Sequence, residues 1–88
     1  MNEKHIFPAT GTLYDDYAIF NFAKIMSKKM AKKRKEGKYG WWNSDLCSIV
    51  TLQQLLKEHV EKEDWLDVAI FAMMIYMRRS GGNDRIPL

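Results

Sequence analysis

Four carboxylates stand close together in the second half of the chain: Glu58, Glu61, Asp64 and Asp67. Glu58 and Glu61 are three residues apart, as are Asp64 and Asp67, so each pair shares one face of a helix. If Lys62 to Asp64 is a tight turn between two helices, those helices run antiparallel and both pairs converge. Clustered carboxylate oxygens suit Mg²⁺, a hard cation held by one or two carboxylates together with substrate phosphates. A metal in such a place bridges phosphate oxygens and orients an attacking water. The same four residues also read as first-turn acids and polar turn residues serving ordinary capping and solvation. Asp67 stands apart, because Val68, Ala69 and Ile70 lead directly from it into an apolar segment. A carboxylate at that border needs a backbone N–H, a cation or a metal. His59 reads first as a helix-surface histidine and second as an aid to a metal site.

The other chemical signal is the basic stretch KKMAKKRKEGKYGWW, residues 28 to 42. From Lys28 to Lys38 it sets seven cations against Glu36, a local +6 in a chain of net charge +3, which leaves the remainder at −3. That is one basic edge on a mildly acidic molecule, not a uniformly basic nucleic-acid binder. Part of the run has a structural explanation, since cations in the last turns of a helix complement its negative end. Trp41 and Trp42 present flat faces on which a nucleobase can stack, and they equally suit the capping of a small core. Gly37-x-x-Gly40 is too common a spacing to mark a phosphate loop.

These residues require elements to position them, and the patterning is helical throughout. Residues 1 to 11 read as an extended arm, with Pro8 and Gly11 opposing regular structure. Thr12 and Asp15 resemble a capping box. Ile19, Phe22, Ala23, Met26 and Met30 then recur at helical spacing, predicting a helix of about 14 to 36 that Gly37 ends. A loop over 37 to 50 follows, with a short turn of helix at 45 to 50. Thr51 and Gln54 mark a second helix of about 52 to 61, carrying Leu52, Leu55, Leu56 and Val60 on one side. Asp64 caps a third, of about 65 to 79, which stops at Gly81-Gly82; residues 80 to 88 read as a flexible tail. Nothing alternates with period two long enough to be a strand. The expected fold is all-α, one domain spanning 1 to 88, a small bundle of about three helices.

The third helix sets a further condition. From Val68 to Met77 (VAIFAMMIYM) it carries no charge and is apolar around its whole circumference. Such a helix must be covered on all sides, and two other helices cannot surround it in 88 residues. The expectation is a homodimer or higher homo-oligomer centred on this helix.

Other function classes find no support. Cys47 is a lone cysteine without metal-ligand or redox spacing, which points to a reducing compartment and a small buried side chain. His5 and His59 are far apart, and no Ser/His/Asp or Cys/His arrangement favours nucleophilic catalysis, so no catalytic residue is assigned. No secretory signal is visible, and the longest apolar stretch is about half a membrane span. The expected setting is cytoplasmic, with no membrane partner.

The stretch HVEKEDWLDVAIFAMMIYMRR, residues 59 to 79, resembles the closing helix of the all-α nucleoside-triphosphate pyrophosphohydrolases, the MazG-like superfamily. Small phage-encoded members often carry a similar D-V-A-x-F-A-M-M phrase. FAKIMSKKMAKKRKEGKYGWW, from Phe22, is similar to their amphipathic helix ending in a basic segment with glycine and tryptophan. The likeness implies an oligomeric helical protein, in the cytoplasm of a host cell if phage-encoded, that binds Mg²⁺ and splits nucleotides between the α and β phosphates. It implies metal ligands on an E-E-x-x-E motif, falling here on Lys57, Glu58 and Glu61, and on an E-x-x-D motif, falling on Asp64 and Asp67. Lys57 replaces the first acid, Asp64 replaces a glutamate, and the connection between the motifs is shorter than in the family. On this reading Lys33, Arg34 and Lys38 meet phosphates and Trp41 or Trp42 meets the base. The alternative is a non-catalytic phage-type protein that engages a host protein, or less favourably a nucleic acid, through its basic edge.

Overall fold

The computed structural model describes residues 8–81, with side chains from 11 to 80. It is all-helical among these residues: α1 runs Pro8–Lys35, α2 runs Ile49–Glu61 and α3 runs Trp65–Gly81. The chain divides into two compact units, Met1–Gly37 and Lys38–Leu88.

The first unit is α1. It starts inside the stretch expected to be an extended arm. Proline opposes a helix only in its interior; at the first position its missing N–H is one that a helix leaves unpaired anyway. Gly11 costs about 1 kcal/mol relative to alanine, which a 28-residue helix absorbs. Residues 1–7 of the expected arm lie outside the described residues. Lys32, Lys33, Arg34 and Lys35 occupy the last turn of α1, where their charge favours the helix. Gly37, at φ 86°, takes the left-handed conformation that closes the helix, and its N–H bonds the Arg34 carbonyl at 3.0 Å. The apolar residues of α1 are not confined to one stripe. Leu13, Tyr14, Tyr17, Ile19, Phe20, Phe22 and Ile25 are all exposed.

The second unit is a helical hairpin with a structured loop before it. α2 begins three residues before its expected start, because Ser48 is the cap: its Oγ accepts from the Thr51 N–H at 3.1 Å. Leu52 is 1% exposed and Ile70 5%, so the α2–α3 seam is the core of this unit. Burying one leucine side chain contributes roughly 2–3 kcal/mol, so the hairpin rests on few residues. α3 extends to Gly81, taking in Ser80 and Gly81 of the expected tail; residues 82–88 lie outside the described residues.

The loop from 38 to 48 is tied to the C-terminal part of α3. Arg78 is 9% exposed, and its Nη1 donates to the Trp41 carbonyl at 3.1 Å and the Cys47 carbonyl at 2.5 Å. Gly40 (φ 91°) is buried where a Cβ would lie 2.7 Å from Leu46 Cδ1. Asn43 turns the chain: its Oδ1 accepts from the Asp45 N–H at 2.8 Å and its carbonyl from Leu46 and Cys47.

α3 remains incompletely covered within its unit. Trp65 and Tyr76 are largely exposed, Met77 partly so, and Leu56, Ala72, Ile75, Tyr76, Arg79 and Ser80 line an open groove of about 420 Å³.

Candidate metal centre

The connection between α2 and α3 is the tight turn that convergence of the acids required. Lys62 ends α2 in a helical conformation and Glu63 follows at φ 56°. The Glu63 N–H bonds the Val60 carbonyl and the Asp64 N–H bonds the His59 carbonyl, each at 3.0 Å. These two bonds define the Schellman closure of a helix. Its left-handed position normally holds glycine, and a side chain there costs roughly 1–2 kcal/mol. The Asp64 carbonyl in turn accepts from the Val68 N–H at 3.0 Å, so α3 starts immediately.

This closure makes the site. It joins the backbone of His59 to that of Asp64, and so sets their side chains beside each other. In most such closures the corresponding pair is a hydrophobic contact. Here it is an imidazole and a carboxylate. One turn into α3, Asp67 comes up on the same side. His59 Nδ1 lies 3.4 Å from Asp64 Oδ2 and 3.7 Å from Asp67 Oδ2. Donor atoms of the three residues all lie within 4.8 Å of one another. Among the described residues this is the set of His, Cys, Asp or Glu side chains gathered closely enough to hold a metal ion.

Burial makes the arrangement informative. The side chains of His59 and Asp67 are 19% and 15% exposed, and that of Asp64 is 39% exposed. The imidazole lies against Phe71, ring centroids 5.2 Å apart. Nδ1 is shut off from solvent and has no hydrogen-bond partner. Its distances to the two carboxylates exceed the roughly 2.7–3.2 Å of an N–H···O bond. A shielded nitrogen left without a bond costs about 1–3 kcal/mol unless something else binds it.

The residues named from sequence separate accordingly. Asp64 and Asp67 are brought together. Glu58 and Glu61 are exposed on α2 and stand outside the group, and His59 completes it. Lys33 and Arg34 belong to the first unit, where Lys33 Nζ sits 3.7 Å from Glu36 in an exposed i,i+3 pair. Lys38 is exposed in the second unit. Trp41 and Trp42 are half-buried and pack edge to face on each other, centroids 6.0 Å apart. Their loop is fastened at Arg78, eleven residues or about 16 Å of helix beyond Asp67. His59 was the residue hardest to see from sequence. The signal was its place five residues before Asp64 across a helix end, a spacing that brings side chains together only when the intervening turn is left-handed.

No protein-family model matches the chain, and neither a curated protein nor a solved structure matches it.

Proposed function

We propose that the α2–α3 hairpin is a divalent-cation site, and that the chain is a metal-dependent nucleotide pyrophosphohydrolase or a nucleotide-binding relative of the MazG-like proteins. The single observation carrying the metal reading is the convergence of His59, Asp64 and Asp67 around a shielded, unbonded Nδ1. The nucleotide reading rests on the resemblance of residues 59 to 79, which also implies Mg²⁺ at this place. A divalent cation there supplies positive charge and Lewis acidity toward phosphoryl oxygens. His59, Asp64 and Asp67 would hold it, and the Schellman closure with its strained Glu63 fixes the first two relative to each other. Lys38, in the same unit, would supply cationic charge to a polyphosphate. A homo-oligomer covering the exposed part of α3 belongs to the same proposal. Its support is the apolar groove beside Leu56, Ile75 and Tyr76. The experiment is release of monophosphate and pyrophosphate from common nucleoside triphosphates with Mg²⁺, Mn²⁺, Zn²⁺ or Co²⁺ supplied in turn, comparing wild type with Asp67→Ala. Turnover lost in the variant supports the reading; no release from any nucleotide by the wild type removes the enzymatic half of it.

One observation favours a second reading, a non-catalytic protein that docks on a host protein. α1 exposes seven large apolar side chains and ends in one wholly basic turn, Lys32 to Lys35. Exposed apolar residues rimmed by charge are the composition of a docking surface. Co-purification of a partner that Phe20→Glu abolishes, with nucleotide turnover absent, would favour this reading over the first.

A further inference from the structure

We infer that the ion held by His59, Asp64 and Asp67 is a borderline, four-coordinate metal of the Zn²⁺ or Co²⁺ type and not Mg²⁺. The inference rests on the proposal that this group is a metal site, and adds which class of metal it selects.

The donor set comes first. One imidazole nitrogen and two carboxylates form a mixed nitrogen–oxygen site. Imidazole suits zinc and the later transition metals, whereas Mg²⁺ prefers oxygen ligands alone and keeps several of its waters. The four acids expected from sequence would have made an all-oxygen site. With Glu58 and Glu61 outside the group and His59 within it, that preference reverses.

Spacing is the second argument. Two donors on a tetrahedral ion with bonds of ~2.1 Å lie ~3.4 Å apart. Adjacent donors on an octahedral ion with bonds of ~2.1 Å lie ~3.0 Å apart. The imidazole nitrogen stands 3.4 and 3.7 Å from its two carboxylate oxygens, at or just beyond the tetrahedral edge. Those distances are longer than ordinary hydrogen bonds and leave room for an ion among the three groups.

Charge and coordination number agree. A neutral imidazole and two carboxylates carry −2, which a divalent ion balances. Three protein ligands leave one of four positions for a further ligand, the pattern of catalytic rather than structural zinc sites. The Phe71 ring packs against the imidazole, centroids 5.2 Å apart, and limits its motion.

The test uses the full-length, metal-stripped protein without nucleotide, titrated separately with Zn²⁺, Co²⁺ and Mg²⁺ by calorimetry, with the visible spectrum recorded for Co²⁺. The expected result is one Zn²⁺ per chain, bound about 100-fold or more tightly than Mg²⁺, and the intense absorption of four-coordinate Co²⁺. His59→Gln should weaken Zn²⁺ by about 100-fold or more, beyond the usual cost of losing an outer partner of a metal ligand. Asp64→Asn, at the more exposed ligand, should weaken it in the same direction with the helical circular dichroism unchanged. Mg²⁺ binding as tightly as Zn²⁺, a weak six-coordinate Co²⁺ spectrum, or Zn²⁺ affinity untouched by His59→Gln would each overturn the inference while leaving a metal-dependent enzyme possible. No binding of any of the three ions overturns both. Tight Zn²⁺ binding without nucleotide turnover supports the metal class and removes the enzymatic reading.

Discussion

The two ends of α3 handle buried polar groups in opposite ways. Toward its C-terminus, Arg78 is almost wholly buried and donates to the carbonyls of Trp41 and Cys47. The loop from 38 to 48 has no regular structure, so its carbonyls need donors from elsewhere, and the guanidinium supplies them. Toward its N-terminus, two carboxylates gather around an imidazole nitrogen that hydrogen-bonds to neither of them. The turn that gathers them places a glutamate where glycine would be relaxed. The first arrangement is explained by folding alone. The second leaves a shielded nitrogen without a hydrogen bond and a glutamate in the left-handed region, two costs that a bound ion at the turn would offset.

Substitutions at each end can break or sharpen this contrast. The largest effect belongs to Arg78→Met, which keeps much of the apolar stem and removes the donors. It should destabilise the protein by about 3 kcal/mol in denaturant titrations, because two carbonyls lose their partner. Gly40→Ala comes next, at about 2 kcal/mol: a Cβ there meets Leu46 Cδ1 at 2.7 Å, and φ 91° penalises any side chain. Both losses should appear with or without metal.

Effects at the N-terminal end should be smaller and of the other sign. Glu63→Gly relieves the left-handed strain and should raise stability by about 1 kcal/mol in the same titrations. His59→Leu restores the apolar contact usual in this closure. It should change metal-free stability by less than about 1 kcal/mol, while removing any stabilisation by Zn²⁺ in thermal melts. A loss of about 3 kcal/mol in His59→Leu without metal would place His59 with Arg78 as a structural residue and erase the contrast.

Much of the architecture was legible in the sequence because it depends on local chemistry. Periodic apolar residues and the glycine at 37 specify three helices in the observed order. The boundaries moved for local reasons also: Ser48 supplanted Thr51 as a cap, and proline at a first helical position began α1 early. The site was half legible. Asp67, singled out as a carboxylate leading into an apolar helix, is in the group, and so is Asp64. Glu58 and Glu61 face water instead, because the short turn lets only residues adjoining the closure meet across it. His59 depends on a left-handed residue at 63, and a glutamate gives no sign of that conformation. The roles of Lys33, Arg34, Lys38, Trp41 and Trp42 depend on a bound nucleotide, which local pattern does not describe.

The most direct test of the central claim is an anomalous-difference map at the zinc edge, from crystals of the full chain grown with Zn²⁺. The account predicts one peak at the α2–α3 turn, within about 2.0–2.2 Å of His59 Nδ1 and of one oxygen each from Asp64 and Asp67. A peak held instead by Glu58 and Glu61, or no peak at the turn while Nδ1 bonds directly to a carboxylate, would contradict it.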